Sequence, residues 1–168
     1  LKRHSSGFES LTNLARLNII RDNLIEAERL LEKSYKLNRN YLATLLNFCE
    51  VYFRSNNKEK SLKYAIEAIK IAPKDPMTVS KYSKALIMNS RESEAIDILK
   101  KLTVQYPAHD FLFSLANAYL ITGDIKKSNS IISDVFRQND KNIDVFLEFS
   151  RNKENRLSKG QIKYFEDF

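Results

Sequence analysis

Small residues recur along this chain with a single period, and that recurrence restricts the fold more than any other feature. Ala15, Cys49 and Ser83 are 34 residues apart, as are Ala27, Ser61 and Ala95, and Ala116 and Ser128 continue both series after one step of 33. Large apolar residues keep the same register: Leu14, Phe48, Tyr82 and Leu115 each precede a member of the first series. Leu31, Leu99 and Ile132 follow the second by four residues, with Ala65 the small exception. A fixed period of this length marks stacked supersecondary units, none of which can bury its apolar face alone.

Each unit reads as two helices. Between Tyr41 and Arg54, the residues Leu42, Leu45, Phe48, Cys49 and Tyr52 fall on one helical stripe. After Ser55-Asn56-Asn57, the segment Lys58 to Ile71 does the same with Leu62, Ala65, Ile66 and Ile69. So short a turn makes the two helices antiparallel, and close approach of their backbones requires small residues where they cross. Asp75-Pro76 is a capping residue followed by proline in a first turn, and Thr122-Gly123-Asp124 combines a glycine stop with an acidic helix start.

Composition agrees. Of 168 residues only 3 are Gly and 3 Pro, too few to punctuate a many-stranded sandwich or barrel or to build glycine-rich phosphate loops. The 43% hydrophobic content can supply a core, and the one cysteine cannot form an internal disulfide, so packing must provide the stability. No run of about 18 apolar residues is present, so no membrane insertion is expected. The chain opens on Leu1 and closes on the amphipathic run Lys163 to Phe168, and it reads as a fragment of a longer protein.

Period, helix-turn-helix pattern, small residues at the eighth and twentieth positions and Pro73 and Pro107 near unit ends resemble the tetratricopeptide repeat. The stretch from Asn56 to Pro73 is similar to the second-helix half of that repeat. The resemblance covers residues 8–142 as four repeats, 8–41, 42–75, 76–108 and 109–142, after a polar leader over 1–7. Residues 143–168 resemble additional or capping helices. Leu11, Leu45, Val79 and Leu112 stand where the family usually has Trp, and Arg39 and Asp140 where it has Pro. The resemblance implies an all-α fold, a right-handed superhelix of antiparallel helix pairs, with a concave groove lined by the first helix of each pair.

On that register the groove takes Thr12, Asn13, Arg16 and Ile20 from the first unit and Leu46, Asn47, Glu50 and Arg54 from the second. The third supplies Met77, Lys81, Lys84 and Met88, and the fourth Phe113, Ser114, Asn117 and Ile121. Asn13 and Asn47 are one repeat apart, and an asparagine offers both donor and acceptor to a peptide backbone. This is similar to the asparagine ladder of the repeats in O-linked N-acetylglucosamine transferase. Arg16, Arg54, Lys81 and Lys84 outnumber Glu50, so an acidic or carboxylate-bearing peptide is expected. Some tetratricopeptide domains hold a chaperone C-terminal carboxylate through a Lys-Asn, Asn, Lys-Arg clamp. Asn47 and Lys81 match part of it, while Thr12, Arg16 and Met77 depart.

The expected role is a protein-binding scaffold or adaptor, with Asn13, Arg16, Asn47, Glu50, Arg54, Lys81, Lys84 and Asn117 as the contact residues. No cofactor, metal site or catalytic group is expected. His4 and His109 stand apart from Cys49, and Cys49 occupies a helix-crossing position, so no nucleophile-base pair forms. A net charge of +7 and 8 Tyr admit nucleic acid as a less favoured partner, but no basic-aromatic strip stands out. The array could also be the substrate-recognition arm of a larger sulfotransferase or glycosyltransferase. The apolar surface from Ile131 to Phe149, with Tyr164, Phe165 and Phe168, offers a homodimer contact.

Overall fold

The computed structural model describes residues 7–106 and 108–138. Of the expected leader 1–7, Gly7 opens the first helix, while residues 1–6, the expected capping helices over 143–168 and the expected contact residues Phe146, Leu147, Phe149, Tyr164, Phe165 and Phe168 lie outside the described residues.

The described residues form eight α-helices: α1 Gly7–Ile20, α2 Leu24–Leu37, α3 Leu42–Arg54, α4 Lys58–Ile71, α5 Pro76–Met88, α6 Glu92–Gln105, α7 His109–Ile121 and α8 Ile125–Gln138. The chain divides into two compact units, Leu1–Arg91 and Glu92–Phe168.

One backbone device ends every first helix. Asp22, Asn56, Ser90 and Gly123 adopt left-handed conformations with φ of 59°, 56°, 58° and 86°. In each case the next amide reaches back across the turn to a carbonyl five residues earlier: Asn23 N to Asn18 O at 2.9 Å, Asn57 N to Tyr52 O at 2.8 Å, Arg91 N to Leu86 O at 3.0 Å and Asp124 N to Tyr119 O at 2.8 Å. Together with the bonds from the left-handed residues to Ile19, Phe53, Ile87 and Leu120, this is a Schellman motif repeated at the period of the sequence. It satisfies carbonyls that a helix end leaves unpaired and fixes the reversal of the chain.

Side chains cap the starts of α4, α5 and α8, the last through Asp124 Oδ1, which accepts from Lys127 N at 3.2 Å. Asp75 Oδ2 accepts from Thr78 N at 2.8 Å with Pro76 in the first turn, and Asn57 Oδ1 accepts from Lys60 N at 3.1 Å.

In the first unit α3 lies at the centre, touching α1 and α5 on one layer and α2 and α4 on the other. Ala15, Cys49, Ser83, Ala27 and Ser61 are all buried. The two small-residue series meet directly, for Cys49 Sγ lies 3.8 Å from Ser61 O and Ser61 Oγ 3.5 Å from Cys49 O. That contact lets the α3 and α4 backbones approach at their crossing. Phe48, Tyr52 and Tyr64 stack nearly parallel, the Phe48 and Tyr64 centroids 4.2 Å apart, and Tyr35 of α2 meets Phe48 and Tyr64 edge-on.

The phenols at the edge of this stack are satisfied. Tyr52 Oη donates to Glu28 Oε1 at 2.6 Å and Tyr35 Oη to Glu67 Oε2 at 2.7 Å. Burial, reinforced by these carboxylates, pushes the Tyr35 phenol up to about 12 and raises that of Tyr52.

A cluster of three hydroxyls closes the first repeat on the second. Thr12, Ser34 and Thr44, none more than 1% exposed, lie 2.7–2.8 Å from one another, and Thr12 and Ser34 also donate to Phe8 O. Thr12, expected to face the groove, is therefore a core residue. Its position toward α2 and α3 is fixed by these bonds rather than by its polarity.

Leu14 differs in the opposite sense: it is 48% exposed, whereas its counterpart Phe48 is fully buried. Phe48 has Tyr35 of the preceding helix against it, and no described helix precedes α1.

In the second unit, α7 packs against both α6 and α8. Phe113, Ala116, Ile132 and Val135 form its core, with Leu112 and Ile131 against them. Phe113, another expected groove residue, is thus internal: it shares the helical face of Ala116, which α8 covers.

Candidate functional site: the first-helix layer

Helices α1, α3 and α5 bring the first-unit members of the expected site onto one layer. Helical spacing sets which side chains share a face: Asn13, Arg16 and Ile20 on α1, Asn47, Glu50 and Arg54 on α3, Met77, Lys81, Lys84 and Met88 on α5. Asn13 and Arg16 are exposed, as are the apolar side chains of Ile20 and Met77, which are 68% and 62% accessible. Asn47 is half-buried, with Nδ2 3.5 Å from Thr12 O, at the long limit of a hydrogen bond.

The charges of this layer are organised around Glu50, which is only 8% exposed. Arg54 Nε donates to Glu50 Oε1 at 2.7 Å, and Lys81 Nζ donates to Glu50 Oε2 from the neighbouring helix. Arg54 Nη1 also donates to Ile19 O at 3.1 Å and lies 3.8 Å from Asp22 Oδ1. Two cations counted from the sequence as attracting an acidic ligand are thus tied to carboxylates of the protein itself. Lys84 Nζ sits 3.5 Å from the centroid of the Phe53 ring, a cation-π contact. A count of charges along a helix face carries no information about such pairing.

Asn117 belongs to α7 of the second unit, where its Oδ1 is buried with no hydrogen-bond partner among the described residues. Cys49 is buried and its thiol is pushed up to about 12 by burial, a setting that disfavours the thiolate a nucleophile needs. No group of three or more His, Cys, Asp or Glu side chains converges to hold a metal among the described residues. No described helix is long and apolar enough to cross a membrane.

Antiparallel helix pairs, small residues at their crossings and a repeated Schellman turn define an all-α helical-repeat solenoid of the tetratricopeptide type. Solved structures carry the same fold. The chain is similar to TTC0263, a thermophilic TPR protein from Thermus thermophilus, with a TM-score of 0.72 at 17% identity over 89% of this chain and 83% of that one. It is also similar to PilF of Pseudomonas aeruginosa, with a TM-score of 0.69 at 15% identity, covering 96% of this chain and 74% of that one. YrrB, described as a TPR protein with an unusual peptide-binding site, superposes with a TM-score of 0.60 at 16% identity, covering 94% and 81%. No family model matches the chain, and no curated protein matches it.

Proposed function

We propose that this protein is an interaction module whose first-helix layer of α1, α3 and α5 binds an extended segment of another protein. The observation that carries the reading is the exposure of Ile20 and Met77 on the faces that also hold Asn13, Arg16, Lys81 and Lys84. Apolar anchors set among polar side chains suit a peptide whose side chains alternate between contact and solvent. Asn13 and Asn47 supply amide groups to the ligand main chain, and the exposed Arg16 receives an acidic side chain. YrrB, with its peptide-binding site on the same fold, supports a peptide as the ligand class.

The test is capture of partners from native lysate by wild-type protein and by Arg16→Ala with Lys84→Ala, each with and without nuclease. Nuclease-resistant capture that the double variant loses while keeping its helicity supports the reading. Capture that the double variant retains moves the site elsewhere, and capture that nuclease abolishes makes the basic surface a nucleic-acid site.

A further inference from the structure

Among the described residues Glu50 is the one charged side chain counted with the buried core. Two cations reach it from different helices, Arg54 from the next turn of α3 and Lys81 from α5. Arg54 is held a second time by the Ile19 carbonyl at the end of α1. The cation pair is therefore set by three helices, and the carboxylate between its members comes from the protein itself. A ligand carboxylate brought to the same place would meet Glu50 at like-charge contact distance in a poorly solvated setting.

Resting on the reading of this layer as a peptide site, we infer that Glu50 determines its charge specificity. Glu50 fills the position between Lys81 and Arg54 that would otherwise receive a ligand carboxylate, so the layer accepts an acidic group at Arg16 and refuses one at Lys81. An uncharged or apolar ligand side chain passes over the Glu50 position, where Met77 stands one turn before Lys81. The discrimination is built by repulsion as well as by attraction.

Glu50→Gln keeps the side-chain shape and removes the charge. With fluorescein-labelled hexaglutamate as the probe and anisotropy at low salt as the readout, E50Q binds at least tenfold more tightly than wild type, and E50Q with Lys81→Met loses the gain. Measurable binding of equal affinity to wild type and E50Q, or a gain that survives K81M, overturns the inference.

A second arm needs no peptide. Glu50→Ala removes atoms that correspond to acetate, so sodium acetate raises the thermal midpoint of E50A saturably where sodium chloride of equal ionic strength does not. Wild type and E50A with K81M show no such rise. Absence of an acetate-specific rise overturns the inference whatever the peptide does. An acetate-specific rise in E50A without hexaglutamate binding by E50Q overturns instead the reading of the layer as a peptide site.

Discussion

Thr12 of α1 and Thr44 of α3 share a 2.7 Å hydroxyl-hydroxyl contact in an environment where neither is more than 1% exposed. With Ser34 they form a closed polar group inside an otherwise apolar junction of α1, α2 and α3. Each hydroxyl has one proton to give, and with Thr12 and Ser34 donating to Phe8 O, Thr44 is the one that donates within the trio. Thr44→Val preserves shape and removes one hydrogen bond of the cluster while Thr12 and Ser34 keep Phe8 O, and it is expected to cost about 1 kcal/mol in urea unfolding. Thr12→Val, Ser34→Ala and Thr44→Val combined are expected to cost less than the sum of the three singles. Additive losses would show that the hydroxyls do not act together.

The repeated left-handed turn gives a prediction of opposite sign. Asp22, Asn56 and Ser90 hold φ of 59°, 56° and 58° where the fourth turn has Gly123. Asp and Asn tolerate this region better than Ser, so Ser90 carries the largest strain of the three. Ser90→Gly is expected to raise stability by up to about 1 kcal/mol, and Ser90→Val to lower it by about 1–2 kcal/mol. Thermal unfolding checks both, and a destabilised S90G would contradict the strain argument.

Alkaline pH tests the buried ionisable groups. The folded state holds the Cys49 thiol and the Tyr35 phenol up to about 12, and burial also raises Tyr52. Between the ordinary thiol range and about pH 12 the unfolded chain has lost protons that the folded chain keeps. Unfolding then releases protons, and stability must fall as pH rises. Urea midpoints are expected to be level from about pH 7 to 8 and to drop from about pH 9 to 11, with a slope from Cys49 approaching about 1.4 kcal/mol per pH unit. Cys49→Ala removes that part of the slope, and in native wild type a thiol reagent reacts at about pH 8 only as fast as the protein opens.

Much of the fold was legible because repetition exposes constraints that a single helix hides. Cys49 and Ser61, one from each small-residue series, meet where α3 and α4 cross, and the turn Ser55-Asn56-Asn57 separates α3 from α4 as the periodicity implied. The Schellman geometry was visible only at Gly123, since Asp22, Asn56 and Ser90 do not announce positive φ.

The candidate site was less legible. Thr12 looks like a surface residue until Ser34 and Thr44 meet it, and Lys81 and Arg54 look available until Glu50 is placed between them. The contacts of Thr12 with Thr44 and of Glu50 with Lys81 span 32 and 31 positions, and they depend on which face a neighbouring helix covers. Neither relation is encoded in local spacing.

Site-specific photocrosslinking distinguishes a ligand lying along α1, α3 and α5 from one bound elsewhere. A photoreactive side chain is placed either at Asn47, on the first-helix layer, or at Lys63, exposed on α4. Protein adducts are expected from Asn47, mapped by mass spectrometry to one extended segment of the partner, and none from Lys63. Adducts from Lys63 with none from Asn47 would contradict that expectation and move the binding surface to the second-helix layer.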